Sequence, residues 1–337
     1  MAGLSNNLMA FTVLAYLVAM VCYAGEYAFG DRGRIGKAAA RPARQLVGAG
    51  APVPDDATAV PDDVTAAVPD DVVEAQAASR NGAGEWAGRI AVGFNMVGLL
   101  LHLGALATRG IAADRMPWGN MYEYILSATF VGSAVWVGVV LRRPAVRHLG
   151  LFATLGLVVL LGADGMVAYT PVGPLVPALH SYWFVIHVST IILASGIFLI
   201  GAVPASMFLI RNGYDQGKRR FPYTLGKRVP EAVTLERLTF RMHAFAFPLF
   251  TFGALIAGPL WAEASWGRYW GWDPKEVWAF ISWVVYAAYL HARSTPSVKR
   301  NVATWIALLG FATMLMNLFG VNLFFSGLHS YANAGGM

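Results

Sequence analysis

Between residues 261 and 278 the chain carries Trp261, Trp266, Trp270, Trp272 and Trp278, five of its 11 tryptophans. An aromatic belt at a membrane interface, with indole rings in acyl chains and N–H groups in water, accounts for two or three of them. It does not account for their concentration on one connection, nor for Gly267 and Gly271, which let backbone or a flat ligand approach closely. A wall built from Trp266, Trp270, Trp272 and Trp278 suits a planar aromatic ligand held by stacking, with Arg268 and Lys275 on its rim for carboxylates. Asp273 has two readings that spacing leaves open. In Asp273-Pro-Lys-Glu276 it is an N-cap with proline at N1 and glutamate at N3; it is equally a candidate functional acid.

The histidines are the second chemical set. There are seven, and one placed inside a membrane span is costly, so it normally faces the bundle interior with a partner. A neutral imidazole binds iron, and two from facing helices make a six-coordinate haem. His187 lies about one and a half turns into the apolar run that starts near residue 182. His329 closes the last apolar run, so both flank the tryptophan-rich loop and are expected as axial ligands. His291 ends the helix after the loop, where ligation and interaction with the helix C-terminal dipole fit equally. His102 and His243 fall inside spans without an assignment, and His148 and His180 are expected in solvated connections.

The elements that must position these groups follow from composition and periodicity. With 57% hydrophobic against 13% charged residues, a soluble globule is excluded. Apolar runs of about 20 residues predict an all-α, polytopic membrane protein of about eight spans. These are 6–28, 90–108, 121–141, 149–168, 182–210, 242–262, 276–292 and 302–328. Of the 25 lysines and arginines, 21 fall in the connections 29–89, 142–147, 211–241 and 293–300, which makes that side cytoplasmic and puts both termini and the tryptophan loop outside, at the cell membrane. The net charge of +6 is therefore a topology signal and not a nucleic-acid footprint. Residues 1–30 read as a retained anchor, and 31–89 as a disordered acidic Pro/Ala-rich linker in which Val-Pro-Asp-Asp recurs. Residues 90–331 are the ligand-handling domain with its loop at 261–278, and 332–337 a tail. Cys22 is the single cysteine, so any dithiol chemistry must be brought by a partner.

Four motifs in order carry a family resemblance: Ser181-Tyr-Trp-Phe-Val-Ile-His-Val188, Trp266-Gly-Arg-Tyr-Trp-Gly-Trp-Asp-Pro-Lys-Glu276, Tyr289-Leu-His-Ala-Arg293 and Gly320-Val-Asn-Leu-Phe-Phe-Ser-Gly-Leu-His-Ser-Tyr331. Across roughly 90–331 the chain resembles the "WWD domain" membrane subunit of System II cytochrome c biogenesis, the CcsA or ResC type, some members of which are labelled CcsB. The resemblance implies a haem-binding and haem-transporting component of a cytochrome c synthase. It would deliver haem b to the outer face and support thioether attachment to Cys-x-x-Cys-His apocytochromes. It implies His187 and His329 as outer axial ligands and His291 as an intramembrane haem ligand, whose counterpart belongs to a ResB-type partner subunit. Thioredoxin-like thiol-reducing proteins are further expected partners. Ser195 departs from the family, which often has tyrosine there, and Trp118-Gly-Asn120 with Met121-Tyr-Glu123 resembles a family segment of unassigned chemistry. A haem exporter without ligation activity and a di-haem cytochrome b-type anchor, pairing His187 with His329 and His291 with His243, are the rival readings.

Overall fold

The structure, a computed structural model, describes residues 1–29 and 83–329. Most of the predicted linker and the whole tail lie outside those residues. Among the described residues every regular element is helical. The long helices are α1 (Ala2–Phe29), α2 (Ala83–Ala113), α3 (Met121–Arg142), α4 (Gly150–Ala163) and α5 (Tyr182–Asp215). They are followed by α6 (Ala232–Phe252), the short α7 (Gly258–Trp266), α8 (Pro274–Ser294), α9 (Arg300–Leu315) and one terminal turn, α10 (Val321–Phe324). Helix α2 thus starts at Ala83, ahead of the expected boundary at residue 90.

Seven helical stretches among the described residues are long and apolar enough to cross a membrane, one fewer than expected. The chain is a multi-pass all-α membrane protein. The missing eighth is α8, whose Trp278, Ser282, Trp283, Tyr286, Tyr289 and His291 lower its apolarity. It nevertheless runs antiparallel along α6. Trp283 donates its indole N–H to Thr251 Oγ1 at 2.9 Å, Tyr289 packs on His243, and at the far end Arg293 meets Glu236 at 2.6 Å. Trp283 and Arg293 thus find protein partners, which is how a less apolar helix is accommodated inside a bundle, while the buried Tyr286 hydroxyl has no hydrogen-bond partner.

Helix α5, 34 residues long, is the axis of the bundle and touches α3, α6, α7 and α9. Small residues set those approaches, because helices in a membrane gain stability from close van der Waals contact and not from exclusion of water. A Cβ at Gly196 would stand 2.7 Å from the Ala128 carbonyl oxygen, so α3 and α5 meet backbone to side at this level. One level deeper Tyr286 stacks on Phe198 with ring centres 3.9 Å apart, joining α8 to α5. At the end remote from the tryptophan loop, Arg147 and Glu26 form a buried ion pair at 2.6 Å. That pair draws the turn Pro144–Leu149 inward, so the neighbouring His148 is 4% exposed and not solvated as its place in a connection implied. His180 is exposed, as expected.

Gly196→Ala should overpack the α3–α5 crossing and destabilise the fold by about 1–3 kcal/mol. The expected result is a lower thermal unfolding midpoint in detergent; an unchanged midpoint contradicts backbone contact at this crossing.

Candidate functional site

The site forms where the start of α5 meets α7, the loop after it, and the last turn of the described chain. Ser181 opens α5 by accepting the Trp183 amide, which fixes the helix phase and turns His187 toward α6. Opposite it, Pro259 cannot donate a helical hydrogen bond and its ring crowds the carbonyl four residues back. The helix widens there into a π turn over Gly253–Ala257. The Gly253 carbonyl accepts both the Gly258 amide and the His187 Nδ1–H, the latter at 2.8 Å. Gly258 leaves room for this, since a Cβ there would stand 3.1 Å from the imidazole. A carbonyl only accepts, so Nδ1 carries the proton and Nε2 is the basic nitrogen of His187.

His187 stacks on Trp261, ring centres 5.5 Å apart and 18° from parallel. Trp261 is itself held by its indole N–H on the Ala178 carbonyl at 2.9 Å. Helix α7 ends after Trp266 on left-handed Gly267, and the chain returns at Asp273 to open α8. Asp273 is the N-cap that the sequence spacing offered, and its carboxylate also reaches the end of the described chain. Its carboxylate accepts the Lys275 amide while Glu276 reaches back to the amides of Gly271 and Asp273, a full capping box. The same carboxylate accepts the Leu328 amide at 2.6 Å and His329 Nδ1–H at 2.8 Å. Burial pushes the Asp273 carboxyl up, but the His329 hydrogen bond and charge together with the Leu328 and Lys275 amides outweigh it and hold it below the usual carboxylate range.

His329 lies edge-on to Trp261 and Trp266, at 5.3 and 5.0 Å between centres. Both imidazoles thus sit against the one Trp261 ring, at one end of the bundle. They line a common cavity of about 250 Å³ together with Trp118, Trp261, Trp270 and Lys275. Of the four expected indoles, only Trp270 faces this cavity. Trp266 backs His329, Trp278 lies in the second turn of α8 and outside the lining, and Trp272 is 69% exposed on left-handed backbone with φ 57°. Arg268 is exposed and folds over Gly271, where a Cβ would meet its guanidinium. Trp261 and Trp118 complete the wall. Trp261 was visible in the tryptophan run, and Trp118 in its own short motif. At Ser195 the tyrosine hydroxyl comes from another helix: Tyr124 of α3 lies 2.7 Å from Ser195 Oγ.

His291 is elsewhere, exposed at the far end of α8. It points some 140° around that helix from Tyr286 and 160° from Tyr289, the residues that face α6, given about 100° per residue. His243 is enclosed by Phe198, Tyr286 and Tyr289.

A family model described as cytochrome C assembly protein matches residues 118–329, a stretch that begins at Trp118 and ends at His329. The chain belongs to the cytochrome c assembly protein family. Among its relatives, the cytochrome c biogenesis protein CcsA of Guillardia theta is 36% identical over 245 residues, 67% of this chain and 80% of that protein. The CcsA protein of Gloeobacter violaceus is 31% identical across 72% of this chain and 86% of its own length. That of Synechococcus sp. (strain JA-3-3Ab) is 33% identical across 70% and 83%. This member of the cytochrome c assembly family is therefore of the CcsA type.

The Asp273 clasp has a pH signature. Because its carboxyl is depressed in the folded chain, the clasp contributes stability above the unfolded value of about 4 and loses it as pH falls through the lower folded value. Asp273→Asn keeps a good cap residue but removes the charge, at a cost of about 1.5–3 kcal/mol for a hydrogen bond to a charged group. Amide exchange at Leu328 should accelerate by about tenfold or more; unchanged exchange contradicts the clasp.

Proposed function

We propose that this chain is the haem-presenting subunit of a cytochrome c synthase, and that haem b is its substrate, held at this cavity between His187 and His329. The observation that carries the reading is the pairing of two imidazoles, each with Nδ1 tied to a fixed acceptor, against one aromatic wall. Tying Nδ1 orients each ring and leaves Nε2 as the iron-binding nitrogen. The supports are unequal: a carboxylate behind His329 raises its basicity more than a carbonyl does behind His187, so His187 is the more readily displaced ligand.

The remaining lining fits a porphyrin. The Trp270 indole N–H is buried without a hydrogen-bond partner, and Lys275 lines the same cavity, so a donor and a cation await carboxylates. Lys275 takes the propionate role, and Arg268, turned out over Gly271, does not. Trp261, Trp270 and Trp118 supply the aromatic faces. In the attachment step each cysteine thiol of a Cys-x-x-Cys-His segment adds sulfur and hydrogen across one vinyl double bond, with no net oxidation. What the chain's own residues do is fix iron, plane and carboxylates so that the vinyl groups meet the incoming peptide.

The asymmetric distribution of lysine and arginine between alternate connections supports an extracytoplasmic cavity at the cell membrane. His291, exposed near the cytoplasmic end, supplies one axial ligand of an intramembrane haem and a ResB-type partner the other. Against the di-haem anchor reading, His243 is enclosed within the α6–α8 contact while His291 points away from it and is exposed. A thioredoxin-like partner supplies the thiol chemistry that Cys22 alone cannot.

The test is coexpression with a ResB-type subunit and a Cys-x-x-Cys-His reporter. His187→Ala and His329→Ala should each abolish the low-spin six-coordinate spectrum of the outer haem and lower covalent attachment by at least about tenfold. Lys275→Ala should weaken haem retention while Arg268→Ala leaves it unchanged. Full haem content with normal attachment in either histidine variant overturns the axial assignment; haem content without attachment in the unaltered complex favours the exporter.

A further inference from the structure

Two axial ligands define a line, and a macrocycle held only by them rotates freely about it. Placing two chemically distinct vinyl groups in front of two thiols therefore needs contacts away from the iron axis. Lys275 and Trp270 lie on the C-terminal side of the cavity. A second set comes from the turn between α2 and α3, where Trp118, Gly119, Asn120 and Tyr124 line the same cavity as His187 and His329.

That turn is held by a buried carboxylate. Glu123, with no exposed surface, accepts Arg109 Nε–H at 2.9 Å, Arg115 Nη1–H at 2.7 Å, Arg115 Nη2–H at 3.3 Å and the Gly119 amide at 2.7 Å. Arg115 also donates to the Gly173 carbonyl, which joins the connection before α5 to the same knot. Asn120 caps α3 through the Glu123 amide at 2.8 Å. Gly119 is pressed directly onto the guanidinium: a Cβ there would stand 2.8 Å from Arg115 Cζ and 2.5 Å from Leu175 Cδ2. Both oxygens of Glu123 are taken up, while Arg115 Nε is buried without a hydrogen-bond partner. A buried ion network of this kind costs desolvation and adds little net stability, so its use lies in fixing one geometry. What it fixes is the backbone that carries Trp118 to the cavity.

We infer that the Trp118–Asn120 turn is the orienting wall of the haem site, with Trp118 packing against the porphyrin off the iron axis and the Arg109–Glu123–Arg115 knot acting as its positioning element. This rests on the haem reading of the cavity and extends it to the selection of one rotational setting, and hence of which vinyl meets which cysteine. Trp118 touches the substrate; Glu123, Arg109 and Arg115 act through it.

The experiment compares Trp118→Leu, which keeps apolar bulk without a ring, with Trp118→Phe, in the complex coexpressed with its partner subunit and a Cys-x-x-Cys-His reporter. Two quantities are read: the axial ligation spectrum, and the ratio of correctly doubly attached haem to singly or inversely attached haem. Trp118→Leu should keep the bis-imidazole spectrum yet lower that ratio by about tenfold, the scale of one lost ring contact, and Trp118→Phe should restore most of it. Arg115→Lys, which keeps the charge but cannot bridge both oxygens of Glu123, should lower the ratio in the same direction. An unchanged ratio in Trp118→Leu overturns the inference, as does loss of the axial spectrum itself in both Trp118 variants. A silent His187→Ala would instead remove the haem reading beneath it, so the two failures are distinguishable.

Discussion

The Asp273 carboxylate joins parts of the chain that are far apart in sequence. It caps α8 through Lys275, and it accepts the Leu328 amide and the His329 imidazole. A helix start needs an acceptor for its first amides, and an imidazole held in one orientation needs an acceptor for its N–H. Here one buried group serves both, so the loop after α7 and the end of the described chain are held in one geometry. Glu276 completes the box from the other direction by taking the amides of Gly271 and Asp273. Remove the carboxylate and the helix has lost its cap and the site its orienting partner in one change.

The other imidazole is set by a different device of the same logic. Pro259 forces the π turn, the π turn presents the Gly253 carbonyl, and that carbonyl holds His187. Helix α5 then carries this placement down the bundle axis through its contacts with α3, α6 and α9. Tyr124 meeting Ser195 ties the wall built by α3 to α5 two turns below His187. The halves of the molecule therefore meet at the cavity: α2 and α3 supply the turn at Trp118, while α7, α8 and the terminal segment supply Trp261, Trp270 and His329.

Much of this was legible in the sequence. Runs of about 20 apolar residues located the spans, and the histidines flanking the tryptophan loop are the two that meet at the site. Spacing showed the cap at Asp273 but not its second contact, because His329 lies 56 residues away in sequence. The role of each indole was hidden because a loop built on left-handed Gly267 and Trp272 has no period from which to read direction. Trp272 points outward and Trp261, in the preceding helix, points in. Helix α8 was expected as a span on length, yet its apolarity is too low because its aromatic and hydroxyl groups face protein. A place in a connection implies solvation for His148, but the adjacent Arg147 follows Glu26 into the core and carries it inward.

The most direct measurement of the central claim is ligand replacement at the iron. In this chain coexpressed with a ResB-type subunit under haem supply, His329→Gly leaves a gap beside Asp273 that free imidazole can enter. The account predicts that the outer haem of this variant loses its low-spin six-coordinate spectrum and regains it when imidazole is added. A spectrum that is low-spin without imidazole, or that imidazole does not alter, contradicts the assignment of His329 to the iron.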